Sequence, residues 1–259
     1  MSDIQNEGSH RVRDLFVQGL QAEKPPYPKR AYPKLYPSDA GSCGRAIMLR
    51  VLGASGTPFP INAMEAMDNG VVAEDQTLKI LQAAVGPENV ATQIVLQTEE
   101  WSGKADFILY HQTPQALIVE HKATGQKWFD YQKKLPEYKH VIQLALYKDI
   151  YRDSYGFDPE LRLYYRAWTS WAEFVIAPLE KTIEIKGWVN GEPRERTLEV
   201  SLGSLKNRLE WYWKRKHLPS RVTHAEMESA GCTSKGKPWC RYHEQCWPRE
   251  LSMEEIKSK

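Results

Sequence analysis

The chain has 259 residues, enough for one large domain or a core with an appended module at the usual ~150 residues per domain. Hydrophobic residues make up 41%, sufficient for a core, and 35 Lys and Arg against 33 Asp and Glu leave a formal charge of +2, which excludes a strongly basic tail but permits a local basic groove. No apolar run approaches the roughly 20 residues that cross a bilayer, and Met1 to His10 lacks the apolar segment of a secretory signal, so the expected compartment is the cytoplasm.

In chain order, residues 24 to 37 hold five prolines and three tyrosines, which predicts an extended arm or linker. Cys43 opens a short helix that ends before Gly53. Ala63 to Val85 reads as a long helix, with Met64, Met67, Val71, Leu78, Leu81 and Val85 as its apolar stripe. The missing member of that stripe is Glu74, and a carboxylate on an apolar seam is costly unless paired. Three strands are expected at Val90 to Gln97, Lys104 to Tyr110 and Gln115 to Ala123, the last two as a hairpin. A long helix from Asp130 to Tyr155 follows. Strands at Leu161 to Trp168 and Ala172 to Ala177 precede a second hairpin, Ile183 to Val200, turning at Asn190-Gly191. A final helix spans Leu202 to His217. The pattern predicts a mixed α/β fold, with an arm and first helix in 1–62, a core in 63–200, and a helix with a cysteine-rich cap in 201–259.

The third strand carries the chemistry. Alternation puts Ile118, Glu120 and Lys122 on one face and Leu117, Val119 and His121 on the other. Asp106 lies in the preceding strand at a spacing that suits a position facing Glu120 across the hairpin. Two carboxylates beside an ammonium can hold a divalent cation and assist an attacking water. The same charges also describe a buried ion pair of Lys122 with either acid.

Asp106 with Glu120-His121-Lys122 resembles the PD-(D/E)XK nuclease signature. Gly70 to Asp75 is similar to the first motif of its RecB-like branch, and Gln143-Leu-Ala-Leu-Tyr147 to that branch's Q-x-x-x-Y motif. The resemblance implies a restriction-endonuclease-like sheet flanked by helices. It also implies Mg²⁺ or Mn²⁺ held by Glu74, Asp106, Glu120 and the main-chain carbonyl of His121. Lys122 would assist the water, and Gln143 and Tyr147 would contact a bound strand. Where many relatives carry a histidine this chain has Glu74, which suits a hard cation equally well.

Four cysteines stand at 43, 232, 240 and 246. In a reducing compartment such a cluster reads first as a metal site. Four thiolates bind either Zn²⁺ or a 4Fe–4S cluster, and His243 lies among them as an alternative ligand. One distant cysteine with a C-terminal trio resembles the iron–sulfur staple of the AddB and CRISPR-associated RecB-like nucleases. Tyr27, Tyr32 and Tyr36 with Lys29, Arg30 and Lys34, and Trp211 and Trp213 with Lys214 to Lys216, interleave rings and cations as single-strand-binding surfaces do. The family resemblance implies a single-stranded DNA exonuclease, with endonuclease action besides, in repair, recombination or CRISPR spacer capture. The rival readings are a non-catalytic DNA-binding subunit and a zinc-stabilised interaction protein.

Overall fold

The computed structural model describes residues 34–59, 61–131, 135–221, 233–234, 237–238 and 240–246. Seven strands form one sheet in sequence order: β1 (Val90–Gln97), β2 (Ser102–Leu109), β3 (Leu117–Ala123), β4 (Glu160–Arg166), β5 (Trp171–Pro178), β6 (Thr182–Val189) and β7 (Glu192–Glu199). Only β3 and β4 run parallel. Such a pair needs a crossover, which two helices supply, α3 (Gln126–Tyr131) and α4 (Tyr138–Tyr155). The expected single helix over this stretch is therefore divided. Pro136 lies in the gap, and proline is excluded from a helix interior because it lacks the N–H and clashes with the preceding turn.

From Val141 to Tyr147 helix α4 is buried on every side. Val141, Ile142, Leu144, Ala145, Leu146, Ile150 and Tyr151 are all buried, as they must be in a helix covered on both sides. One side rests on the sheet; Ile47, Met48 and Val51 of α1 (Gly44–Val51) and Leu202 and Leu209 of α5 (Leu202–Arg215) belong to the same core. Ser201 caps α5, accepting the Ser204 N–H.

Helix α2 (Ile61–Val85) lies on the opposite face. There Leu78, Leu81 and Val85 pack against Val90, Phe107, Leu109 and Val119. The predicted apolar stripe is thus only half buried. Before Glu74, Met67, Val71 and Val72 are exposed, and α2 covers the sheet over β1, β2 and β3. Among the described residues no helix covers that face beyond Tyr164 of β4, while the α4 face stays buried through Ala172, Phe174, Ile176, Ile183 and Ile185. Among the described residues no helix is long and apolar enough to cross a membrane.

Candidate active site

The site forms where β2 and β3 part. They pair over only three positions, Phe107–Val119 to Leu109–Leu117, and the next pair would be Asp106 with Glu120. Instead, the Asp106 carboxylate accepts the His121 N–H at 2.8 Å, replacing a ladder bond. Beyond this point β2 turns to a different neighbour: Ser102 N–H donates to Leu35 C=O, and Leu35 N–H to Glu100 C=O.

The cause is legible in β1. Gln93, which would sit opposite Asp106, has φ 53°, a left-handed conformation uncommon outside glycine. On the near side of this point Val90, Phe107 and Leu109 belong to the α2-side core; on the far side Leu96 and Ala105 belong to the α4-side core, with Ile94 packed against it. The β1–β2 ribbon therefore rolls over at Gln93 and Asp106, and opens the gap that holds the charges.

Two residues of α4 fill that gap. Gln143 Nε2 donates to Glu120 Oε1 at 2.6 Å, and the Tyr147 hydroxyl donates to the Lys104 carbonyl at 2.7 Å, which β3 no longer reaches. Both side chains are buried. The sequence suggested contact with a bound strand; in the structure Gln143 gives an N–H to Glu120 and Tyr147 gives its O–H to β2. Their one-turn spacing on a helix face is what allows both. Gly103 makes room, because a Cβ there would lie 2.8 Å from the Tyr147 ring.

Glu120 is buried and pairs with Lys122 at 2.5 Å. Its second oxygen, Oε2, is buried with no protein partner among the described residues. Asp106 is raised well above the usual carboxylate range, first by burial and then by Glu120 and Glu74, against the attraction of Lys122. Glu74 is also raised, by burial above all, with Lys122 pulling it down and Glu120 pushing it up. Burial acts to lower Lys122, but Glu120, Asp106 and Glu74 outweigh it and leave it above its ordinary value. Glu74, Asp106, Glu120 and Lys122 thus share one electrostatic site. Asp75, next to Glu74, faces outward and pairs with Lys79 on the same helix.

Among the described residues, no three His, Cys, Asp or Glu side chains are grouped closely enough to hold a metal as they stand. The carboxylates lean on other partners: Glu120 on Lys122 and Gln143, Asp106 on the His121 N–H, and Glu74 on Gln93 Nε2 at 3.2 Å. An orphaned buried oxygen on Glu120 and hard oxygen donors around it fit Mg²⁺ or Mn²⁺. The His121 ring is turned away from Glu120, stacking on Tyr164 and meeting Thr77 at 3.4 Å, and is held at about 4, by burial first and then by Arg166 and Lys122. The motifs did not point to Gln93, Gly103 or Thr77; the first is recognisable only from its backbone and the others only from what packs on them.

Three of the four cysteines, Cys43, Cys240 and Cys246, lie among the described residues, and Cys240 is within electrostatic reach of the other two. Cys43 precedes α1 and Cys246 ends α6 (His243–Cys246). The Cys240 thiol is pushed up by burial, opposed by the Tyr242 N–H, and raised further by Cys246 and Cys43. The segment is fastened to 54–59: Thr57 N–H donates to Arg241 C=O at 2.8 Å, Arg241 Nε to Thr57 C=O at 2.8 Å, and Gln245 to Ser55 C=O at 2.6 Å. His243 Nδ1 is buried without a partner among the described residues. Cys232 lies outside the described residues, as do Tyr27, Lys29, Arg30 and Tyr32. Trp211 and Trp213 are overlaid by cations of their own helix end, Arg215 at 5.3 Å and Lys216 at 4.1 Å.

Comparison of the chain with protein-family models, with curated proteins and with solved structures found no match.

Proposed function

We propose that this chain is a metal-dependent DNA nuclease of the PD-(D/E)XK type, acting on single-stranded DNA as an exonuclease and stabilised by a 4Fe–4S cluster. The observation that carries the reading is the parting of β2 and β3, where Asp106, Glu120, Lys122 and Glu74 share one site and Glu120 Oε2 has no protein partner.

Glu74, Asp106, Glu120 and the His121 carbonyl would hold the cation. A divalent ion bound there supplies Lewis-acid polarisation of a phosphodiester oxygen and a more acidic water. The protein's own groups do the positioning. Gln143 fixes the Glu120 carboxylate, and the His121 N–H fixes that of Asp106. Lys122, kept protonated by three acids, offers N–H donors where negative charge develops on the phosphate. Cys43, Cys232, Cys240 and Cys246 would hold the cluster and tie the C-terminal segment to α1, contributing its binding energy to folding.

Incubation of end-labelled single- and double-stranded DNA with Mg²⁺ or Mn²⁺ tests the reading. Shortening that needs the cation and disappears in Asp106→Ala supports it; intact DNA in all conditions rejects it.

A further inference from the structure

A tryptophan side chain left in water is rare, because its large apolar ring gains from burial. Three lie close together in sequence and register at one end of this sheet: Trp168 is 92% exposed, Trp171 39% and Trp188 44%. None was singled out by the motifs.

Register places them. Arg166 of β4 is the direct partner of Trp171 on β5, and Trp188 of β6 is the partner of Glu173. Direct partners share a face, and diagonal neighbours lie about 7–8 Å apart, within reach of large rings. On β4 to β6 the residues between these ones, Tyr165, Ala172 and Gly187, are buried toward α4. Arg166, Trp171 and Trp188 therefore stand on the open face, beyond α2. Trp168 sits in the turn from β4 to β5, at the rim. That turn is fixed in place: Thr169 N–H donates to Gln126 Oε1, Gln126 Nε2 donates to Ser170 Oγ, and Ala167 N–H donates to Ser170 C=O.

The row lies at the end of the sheet that carries the candidate active site, on the other face: Lys122 is the partner of Tyr165 and shares its α4 side, while Ala123 is the partner of Arg166 and shares the open side. With strands about 4.8 Å apart, three intervals from β3 to β6 span about 14 Å. The Arg166 carbonyl accepts the Thr124 N–H, its guanidinium has no hydrogen bond or ion pair with the described residues, and its charge reaches His121. The nearest carboxylate on this face, Glu173, is engaged by Arg162 at 3.4 Å.

We infer that Arg166, Trp168, Trp171 and Trp188 form a track on which unpaired bases of single-stranded DNA stack as the strand passes the end of the sheet that carries Lys122. Rings supply a platform every base can use, and the free guanidinium attracts the backbone. The choice of DNA rests on the nuclease reading of the adjoining site; the stacking itself does not. A duplex, whose bases are already stacked, gains little from the track.

The test uses the full chain with EDTA, so that binding is read without cleavage. The probe is a fluorescein-labelled single strand of about 20 thymidines, with a duplex of equal length beside it. In Trp168→Ala/Trp188→Ala the Kd for the single strand should rise about 5- to 150-fold, the range for loss of one base stack, while duplex affinity changes less than about 2-fold. Trp168→Phe/Trp188→Phe should recover most of the loss, and Arg166→Gln should weaken binding of both probes. In the parent, the single strand should quench tryptophan fluorescence. Unchanged single-strand affinity in the alanine variant overturns the track, as does equal loss for both probes with an unchanged melting temperature. Sedimentation showing a dimer that the variant dissolves, with DNA binding intact, would assign the face to a second copy of the chain instead. A track that binds in a protein that never cuts would reject the nuclease reading alone.

Discussion

Gly103→Ala adds one methyl group at the point where β2 leaves β3. The new carbon would lie 2.8 Å from Tyr147 Cε1, 3.0 Å from its hydroxyl oxygen and 3.1 Å from Pro37 Cδ. Ordinary contact begins at 3.4 Å, so the ring must retreat by about 0.6 Å. It is only 2% exposed, which leaves nowhere to go without disturbing its neighbours. Overpacking of this kind costs about 1–3 kcal/mol. Displacing the hydroxyl from the Lys104 carbonyl, now 2.7 Å away, costs a further ~1 kcal/mol or more if that acceptor is left dry. A total of about 2–4 kcal/mol corresponds to about 4–15 °C in melting temperature for a domain of this size. Because Gln143, on the same helix face, holds Glu120, cleavage should fall as well. Differential scanning calorimetry and a cleavage assay on one preparation read both effects. Gly103→Ala/Tyr147→Leu should regain part of the stability by clearing the clash, without regaining activity. A single variant that melts within about 1 °C of the parent and cleaves normally would refute the packing argument.

Glu74→Gln should weaken metal affinity and raise the Mn²⁺ concentration giving half-maximal cleavage, and Glu74→His should retain more activity with Mn²⁺ than with Mg²⁺, since imidazole suits the softer ion; unchanged metal dependence would remove Glu74 from the ligand set. His140 is held at about 3 by burial first, then by Lys122 and Lys139, against an ordinary 6.5. The unfolded chain therefore takes up a proton near pH 6.5 that the folded state refuses until about pH 3. Its contribution is complete above 6.5 and is lost as pH falls toward 3. Urea unfolding at pH 7.5 and 4.5 should show the parent losing about 2–3 kcal/mol more than His140→Gln; parallel losses would contradict this. Anaerobically purified protein should be brown and carry about four irons, and Cys43→Ser or Cys240→Ser should lose the colour and melt lower. Colourless protein with stoichiometric zinc would replace the cluster and leave the nuclease reading untouched.

The strands and most helices were legible in the sequence because alternation and 3.6-residue periodicity report which face is buried. Asn190-Gly191 marked its hairpin for a local reason, the left-handed turn it favours. The helix boundary at Pro136 was legible too, from the proline itself. For α2, periodicity identified the helix and not its environment: a stripe of Met67 and Val71 looks the same whether a sheet lies beneath it or not. The candidate site was half legible. Asp106, Glu120 and Lys122 follow from strand alternation and hairpin spacing. That Gln143 and Tyr147 are buried supports follows only from the parting of β2 and β3, which Gln93 initiates by a backbone conformation no composition rule assigns to glutamine. The row of Arg166, Trp171 and Trp188 depends on register between three strands, and sequence spacing alone does not reveal it.

The central claim is that Lys122 and the acids around it cut DNA with a divalent cation. The direct measurement is the rate of shortening of end-labelled single-stranded DNA in Mn²⁺ by the parent and by Lys122→Ala of matched melting temperature. The account predicts cleavage by the parent that EDTA abolishes, and a loss on the order of 100-fold or more in Lys122→Ala. Equal rates in the two proteins, or no cation-dependent cleavage by the parent, would contradict it.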